Sequence, residues 1–340
     1  MENPQKFPLL RLPILPIENI LSTMAQTEIL NFALTSTKCK FFTKSLSKKR
    51  THSGLTLSIA ENLDIQLQES VNDPIFQYRL TTTPAENGKV RPLCANNRIR
   101  YITLVYCEAL WTGFQKRSEI MIEVFGLKFS NLFFNFDHFF WRYNTTNNQI
   151  IDWLKSLTGG TFNCNTVTLL GTNVVTDNVH YFLNQLSIFN TLIVRSTLNE
   201  NRAIDIPSGL MKLEVHHARW VNLENLLEMK TPRILLVNSS LTNQDMNLFL
   251  QKRMTSETHQ NLKYLIVEIQ DEMSLDVVIG NLQHRVYNPE YSFLGKYPVS
   301  QVRDIESDNG KHAYVFTINV EGSTRLVIAT EKHMSFQLPL

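Results

Sequence analysis

From residue 166 onward the chain repeats one local pattern, a short apolar run followed by a loop and a segment of helical periodicity. This repetition limits the fold more than any other feature. The runs are Thr166-Val167-Thr168-Leu169-Leu170, Thr191-Leu192-Ile193-Val194, Lys212-Leu213-Glu214-Val215, Ile234-Leu235-Leu236-Val237 and Tyr264-Leu265-Ile266-Val267. They start roughly 20 to 30 residues apart, the spacing of leucine-rich repeats. Runs this short and this rich in Val, Ile and Leu read as strands, and the stretches 177–186, 223–229 and 242–254 between them carry helical periodicity. A strand whose chain returns through a helix starts its successor in the same direction, so a stack of parallel strands over one continuous core is expected. The unequal spacing predicts irregular repeats. Beyond Val299 the pattern changes to alternating strands around Tyr314, Phe316 and Ile318 and around Leu326 and Ile328, with Asn309-Gly310 and Gly322 at the turns.

The opening of the chain obeys a different period. Ile17, Ile20, Leu21 and Met24 recur at i, i+3, i+4 and i+7, one apolar helical stripe, with Pro16 suited to the first helical position and Glu18 to the first turn. Thr27 can cap a second helix bearing Ile29, Leu30, Ala33 and Leu34. Ser36 or Thr37 can cap a third with Cys39, Phe42 and Leu46 on one side. Three helices over residues 12 to about 46 are too small to close a large core alone, so a cluster this apolar is expected to dock on a partner. Ser45–His52 (SLSKKRTH) reads as the end of the third helix and a solvated linker, with nuclear import as its sharper alternative.

Between these two regions, Leu55, Leu57 and Ile59, then Leu63, Ile65 and Leu67, then Phe76, Tyr78 and Leu80 alternate with polar residues, as strands with one buried face do. Pro84–Pro92, containing Asn87-Gly88, reads as a turn-rich break before a strand at 99–105. Residues 118–127 and 147–157 read as helices, the latter ending at Gly159-Gly160.

Composition excludes several classes. A formal charge of +2, from 33 basic and 31 acidic residues, builds no broad field for nucleic acid or anionic lipid. The densest apolar segment, Phe129–Trp141, is about half the length of a membrane helix and contains Asp137 and His138, so no span is expected. MENPQKFPLL lacks an apolar stretch of signal-peptide length, and secretion is not expected. Cys39, Cys94, Cys107 and Cys164 form no CxxC pair and read as reduced thiols. No phosphate-loop, dinucleotide, zinc-protease or hydrolase motif is present. His216-His217 lies at a strand end, where neighbouring side chains point to opposite faces and cannot share one metal. Asp271-Glu272 reads as a solvated pair, and Trp220, with Leu223 and Leu227 behind it, as core. Phe133, Phe134, Phe136, Phe139, Phe140 and Trp141 are dense enough that most of them belong to the core as well. No catalytic constellation, metal site or cofactor site is therefore predicted.

FPLLRLPILPIENILSTMAQTEILNFALTSTKCKFF resembles the F-box, the helical module that binds the Skp-type adaptor of ubiquitin ligases. The match starts at Leu12-Pro13 and runs through Ile20, Leu21 and Met24, then Glu28, Ile29 and Leu34, to Ser36-Thr37-Lys38, with Cys39 where many F-boxes have Trp. The remainder resembles the type 2 F-box-associated domain of a large nematode family, through IIDWLKSL at 150–157, the series Trp220, Leu223, Leu226, Leu227, NSSLTNQDMNLFL at 238–250 and NLKYLIV at 261–267. Arg253 stands near where relatives often carry Trp.

The resemblance implies an F-box at 6–50 and an associated domain at 55–340, hence an α/β chain in which a small three-helix module precedes an irregular leucine-rich-repeat-like domain with additional sheet segments. It implies a non-catalytic, substrate-recognising subunit of a Skp–cullin–F-box ligase, cytoplasmic or also nuclear, with an unidentified protein as target. Leu12, Pro13, Ile20, Leu21, Ile29 and Leu34 are the candidate adaptor contacts. The alternative is a scaffold whose degenerate F-box has lost its adaptor.

Overall fold

The computed structural model describes residues 11–24, 26–47, 54–68, 76–95, 98–127, 129–137, 146–157, 163–185, 187–198, 202–255, 258–287, 292–293, 297–299, 301–307 and 310–330. The chain divides into two compact units, residues 1–133 with 140–144 and residues 134–139 with 145–340.

The first unit opens with helices α1 (Ile14–Thr23), α2 (Gln26–Thr35) and α3 (Thr37–Ser47). Strands β1 (Gly54–Ile59), β2 (Leu63–Gln68), β3 (Phe76–Thr81), β4 (Val90–Ala95) and β5 (Arg98–Tyr106) follow, then α4 (Leu110–Phe125) and β6 (Phe129–Asn135), within which the division of the chain falls. β1, β2 and β3 are antiparallel neighbours, β3 pairs parallel with β5, and β5 pairs antiparallel with β4. The expected alternation sets the register: Leu55, Leu57 and Ile59 face Leu67, Ile65 and Leu63, and all six are buried. On the opposite face Asp64, 5% exposed, accepts two hydrogen bonds from Arg79 at 2.9 Å and one from Gln77.

Two expectations need correction here. Pro92 does not belong to a break but lies inside β4, the edge of the sheet, where a missing N–H interrupts no ladder. The helix expected at 118–127 begins eight residues earlier, at Leu110. It ends at Phe125 because Gly126 takes a left-handed conformation, φ +63°.

The second unit contains α5 (Asn147–Leu157), β7 (Asn163–Leu170), α6 (Thr176–Gln185), β8 (Ser187–Val194), β9 (Lys212–Val215), α7 (Leu223–Glu228), β10 (Arg233–Leu236), α8 (Asn243–Met254), β11 (Tyr264–Val267) and α9 (Leu275–Ile279). β7 to β11 pair parallel in chain order. α6, α7 and α8 return the chain, whereas the connection from β8 to β9 contains no helix among its described residues. Two apolar rows cross the strands: Val167, Leu192, Leu213, Ile234 and Leu265, then Leu169, Val194, Val215, Leu236 and Val267. All ten are fully buried. Burying such a side chain contributes about 1.5 to 3 kcal/mol, so these rows carry much of the folding free energy. Capping boxes start two of the helices, Asn222 with Asn225 at α7 and Thr242 with Asp245 at α8.

β12 (His284–Tyr287), a two-stranded ribbon of β13 (Ser292–Phe293) and β14 (Tyr297–Pro298), β15 (Val302–Glu306), β16 (His312–Val320) and β17 (Ser323–Ala329) complete the unit. β17 pairs antiparallel with β11, so the parallel stack ends in an antiparallel meander that continues through β16 and β15 to β12. The expected turn at Gly322 is present, with Glu321 and Gly322 both at positive φ (51° and 84°), as a two-residue hairpin requires. Asn309 and Gly159-Gly160 lie outside the described residues.

Candidate adaptor-docking surface

Pro13 precedes α1 in an extended conformation, and the first helical hydrogen bond runs from the Ile17 N–H to the Pro13 carbonyl at 3.4 Å. The helix therefore starts at Ile14, two residues before the position the sequence favours. Pro16 falls within the first turn, where the absent N–H has no intrahelical partner to lose. Ile17 (0% exposed) and Leu21 (3%) point inward. From α2, Ile29, Leu30 and Ala33 join them, and from α3, Cys39 and Thr43, whose hydroxyl donates to the Cys39 carbonyl at 2.8 Å. Ser36 is the cap of α3, its hydroxyl accepting from the Cys39 N–H at 3.1 Å. Cys39, at the position where many F-boxes have Trp, is 3% exposed and a free thiol.

Three large apolar side chains of this module are uncovered. Ile14 is 54% exposed, Leu15 68% and Phe41 67%. Phe42, half-buried, meets Phe41 edge to face with centroids 6.1 Å apart and carries the Lys38 ammonium over its ring at 5.9 Å. Of the six residues singled out from the sequence, Leu21 and Ile29 are inside the helical packing, Leu12, Ile20 and Leu34 are half-buried, and Pro13 is exposed. Ile14 and Leu15 escape a sequence reading because Pro16 marks a later helix start, and Phe41 because Cys39 and Phe42 define its helix's stripe.

The module is not suspended on a linker. α2 and α3 pack on α4, and α4 packs in turn on β2 and β3. Lys40 bridges to Glu123 of α4 at 2.8 Å and Lys44 approaches the same carboxylate at 3.7 Å. The Lys40 hydrogen bond holds the Glu123 carboxyl below the usual glutamate range.

Residues weighed for chemistry take structural places. Trp220 is 5% exposed. Phe134 is fully buried against Phe182, centroids 4.6 Å apart, while Phe133 is 36% exposed, and Phe139, Phe140 and Trp141 lie outside the described residues. Asp271 and Glu272 are exposed. His216 Nε2 stands 3.7 Å from Glu214, an ion-pair separation rather than a hydrogen bond. Among the described residues no three His, Cys, Asp or Glu side chains gather as a metal site would need. No helix among them is long and apolar enough to cross a membrane.

Comparison with known families agrees with this geometry. The family model of the F-box domain matches residues 9–51, the segment of the three helices. The F-box associated model matches residues 205–267, which hold β9, α7, β10, α8 and β11, the last three strands of the parallel stack and the helices between them. No curated protein and no solved structure matches the chain. The chain thus carries an F-box followed by an F-box-associated region, the architecture of substrate adaptors in Skp–cullin–F-box ubiquitin ligases.

Proposed function

We propose that this chain is the substrate-recognition subunit of a Skp–cullin–F-box ligase, docking the Skp-type adaptor, and through it a cullin, on the F-box and a target protein on the C-terminal region. The exposure of the large apolar side chains Ile14, Leu15 and Phe41 carries this reading, because a module that already buries Ile17, Leu21, Leu30 and Ala33 has no internal use for them. Pro13 and the half-buried Leu12, Ile20 and Leu34 form the rim, and Leu21 and Ile29 support the surface from within. The F-box-associated region, an irregular leucine-rich-repeat-like stack in this reading, holds the target. The chain supplies no catalytic group and needs no cofactor. It raises the effective concentration of a target beside a charged ubiquitin-conjugating enzyme. The motif boundaries 6–50 and 55–340 describe this division of labour. Its place is the cytoplasm, with 45–52 as a candidate nuclear import signal, of which 48–52 lie outside the described residues.

Co-purification with the Skp-type adaptor tests the reading. Leu15→Asp and Phe41→Ser are each expected to weaken binding at least about tenfold, as loss of an interface hot spot does, with circular dichroism and Tm unchanged because neither side chain is buried. A wild-type chain that fails to bind where a reference F-box binds would overturn the ligase reading in favour of the scaffold.

A further inference from the structure

Alternate residues of a strand face opposite ways, so the stack that buries Leu192, Val194, Leu213, Val215, Ile234 and Leu236 presents a second set on its other face. On β8, β9 and β10 that set is Thr191 and Ile193, then Lys212 and Glu214, then Arg233 and Leu235, and Arg195 and His216, one residue past the ends of β8 and β9, continue it through backbone hydrogen bonds to Leu169 and Val194. None is buried and Arg195 is exposed. Beside them the face is closed, because Tyr264 and Ile266 of β11 are covered by a cluster containing Val299, Val302 and Phe316, with Leu235 at its margin. Among the described residues a partly exposed strip three strands wide is therefore left, bounded on one side by an apolar wall.

Its charges do not cancel. Glu214 is the sole carboxylate of the set and is already engaged, 2.6 Å from Lys212 Nζ and 3.7 Å from His216. Those two neighbours keep its carboxyl ionised, at about 2. Arg195 and Arg233, one strand to either side of β9, make no ion pair among the described residues. With Lys212 they set three permanent cations against one anion.

We propose that this strip, taken with the adaptor reading on which it rests, receives the target as an extended acidic protein segment: carboxylates pair with Arg195 and Arg233, and interspersed apolar side chains lie on Ile193 and Leu235. By register Arg233 is level with Thr191, and Arg195 stands four residues further along, about 13 Å, and two strands across, about 10 Å, a diagonal that an extended segment of about five residues spans. A nucleic-acid backbone fits worse, because the apolar positions Ile193 and Leu235 offer phosphate nothing.

The test uses the full chain bound to its adaptor and a fluorescein-labelled peptide of alternating Glu and Leu. A Lys–Leu peptide and a single-stranded oligonucleotide of equal charge serve as controls. Saturable binding of the Glu–Leu peptide is expected, weakening as salt rises, and Arg195→Glu with Arg233→Glu should reduce it at least tenfold. No saturable binding, binding indifferent to the double substitution, or preference for the oligonucleotide would overturn the proposal. Adaptor co-purification of the same double variant separates the two claims: retained adaptor with no peptide binding defeats only this surface, whereas a wild-type chain without adaptor defeats the reading beneath it.

Discussion

His259 occupies a left-handed backbone position, φ 51°, between Thr258, whose hydroxyl lies 2.7 Å from Nδ1, and the ring of Phe249, 4.9 Å away edge to face. Burial, reinforced by the nearby Arg253 guanidinium, lowers its pKa from the ordinary 6.5 to about 4. The folded chain therefore keeps this imidazole neutral across a range in which the unfolded chain protonates it. Its contribution to stability is complete above pH 6.5 and is lost as pH falls toward 4, with a slope of at most about 1.4 kcal/mol per pH unit. His259→Asn, which tolerates the left-handed conformation, should flatten the fall in Tm measured between pH 7 and pH 4. Flattening is expected rather than abolition, since burial lowers His217 in the same direction. Glu214 does not interfere, because its contribution disappears only between about 4.5 and 2. Nothing in the sequence marks His259, as its environment comes from α8 and a loop that touch only in the folded chain. Arg253 is the opposite case. By the resemblance it stands near a position where Trp is frequent, and it proves 3% exposed, with its Nε making no hydrogen bond among the described residues and its guanidinium pKa lowered by desolvation.

Elements were legible where one period dominates. β1, β2 and β3, the five parallel strands and α5 fall where the apolar alternation, run or stripe puts them, because burial follows that pattern, on one face in β9 and β10 and on both in β11. The start of α4 was not legible: Leu110–Arg117 contains Gly113, a residue that disfavours helix, and only packing makes it helical. That glycine is there for space. A Cβ at Gly113 would stand 2.5 Å from Cys107 Sγ and 2.9 Å from its Cβ. Gly113→Ala should thus lower stability by about 1 to 3 kcal/mol in denaturant unfolding despite the gain in helix propensity. Pairing it with Cys107→Gly should recover part of the loss, a coupling that distant sites do not show. β12 went unread because all four of its residues are exposed, and β15 because the adjacent Asp304 and Ile305 are both buried, which breaks the alternation.

At the scale of the molecule, sequence motifs and compact units divide the chain at different places. The family match ends at residue 51, but the first compact unit continues to residue 133, with α4 held between the F-box helices and β2 and β3. The reason is physical: three helices of 10, 10 and 11 residues bury too little on their own and borrow a surface from α4. Deleting residues 1–53 should lower the Tm of the remaining chain by several degrees and raise its tendency to aggregate, measured by thermal denaturation and light scattering. A truncated chain that melts with the full-length protein would contradict the shared core. The consequence reaches genetics. Under the proposed function, a deletion allele intended as a substrate trap, still gripping its target but severed from the ligase, would also be a folding mutant. Conversely, lesions in α4, well outside the F-box, would imitate loss of the adaptor. A clean separation of the proposed docking from folding belongs to surface substitutions such as Leu15→Asp, which leave the shared interior intact.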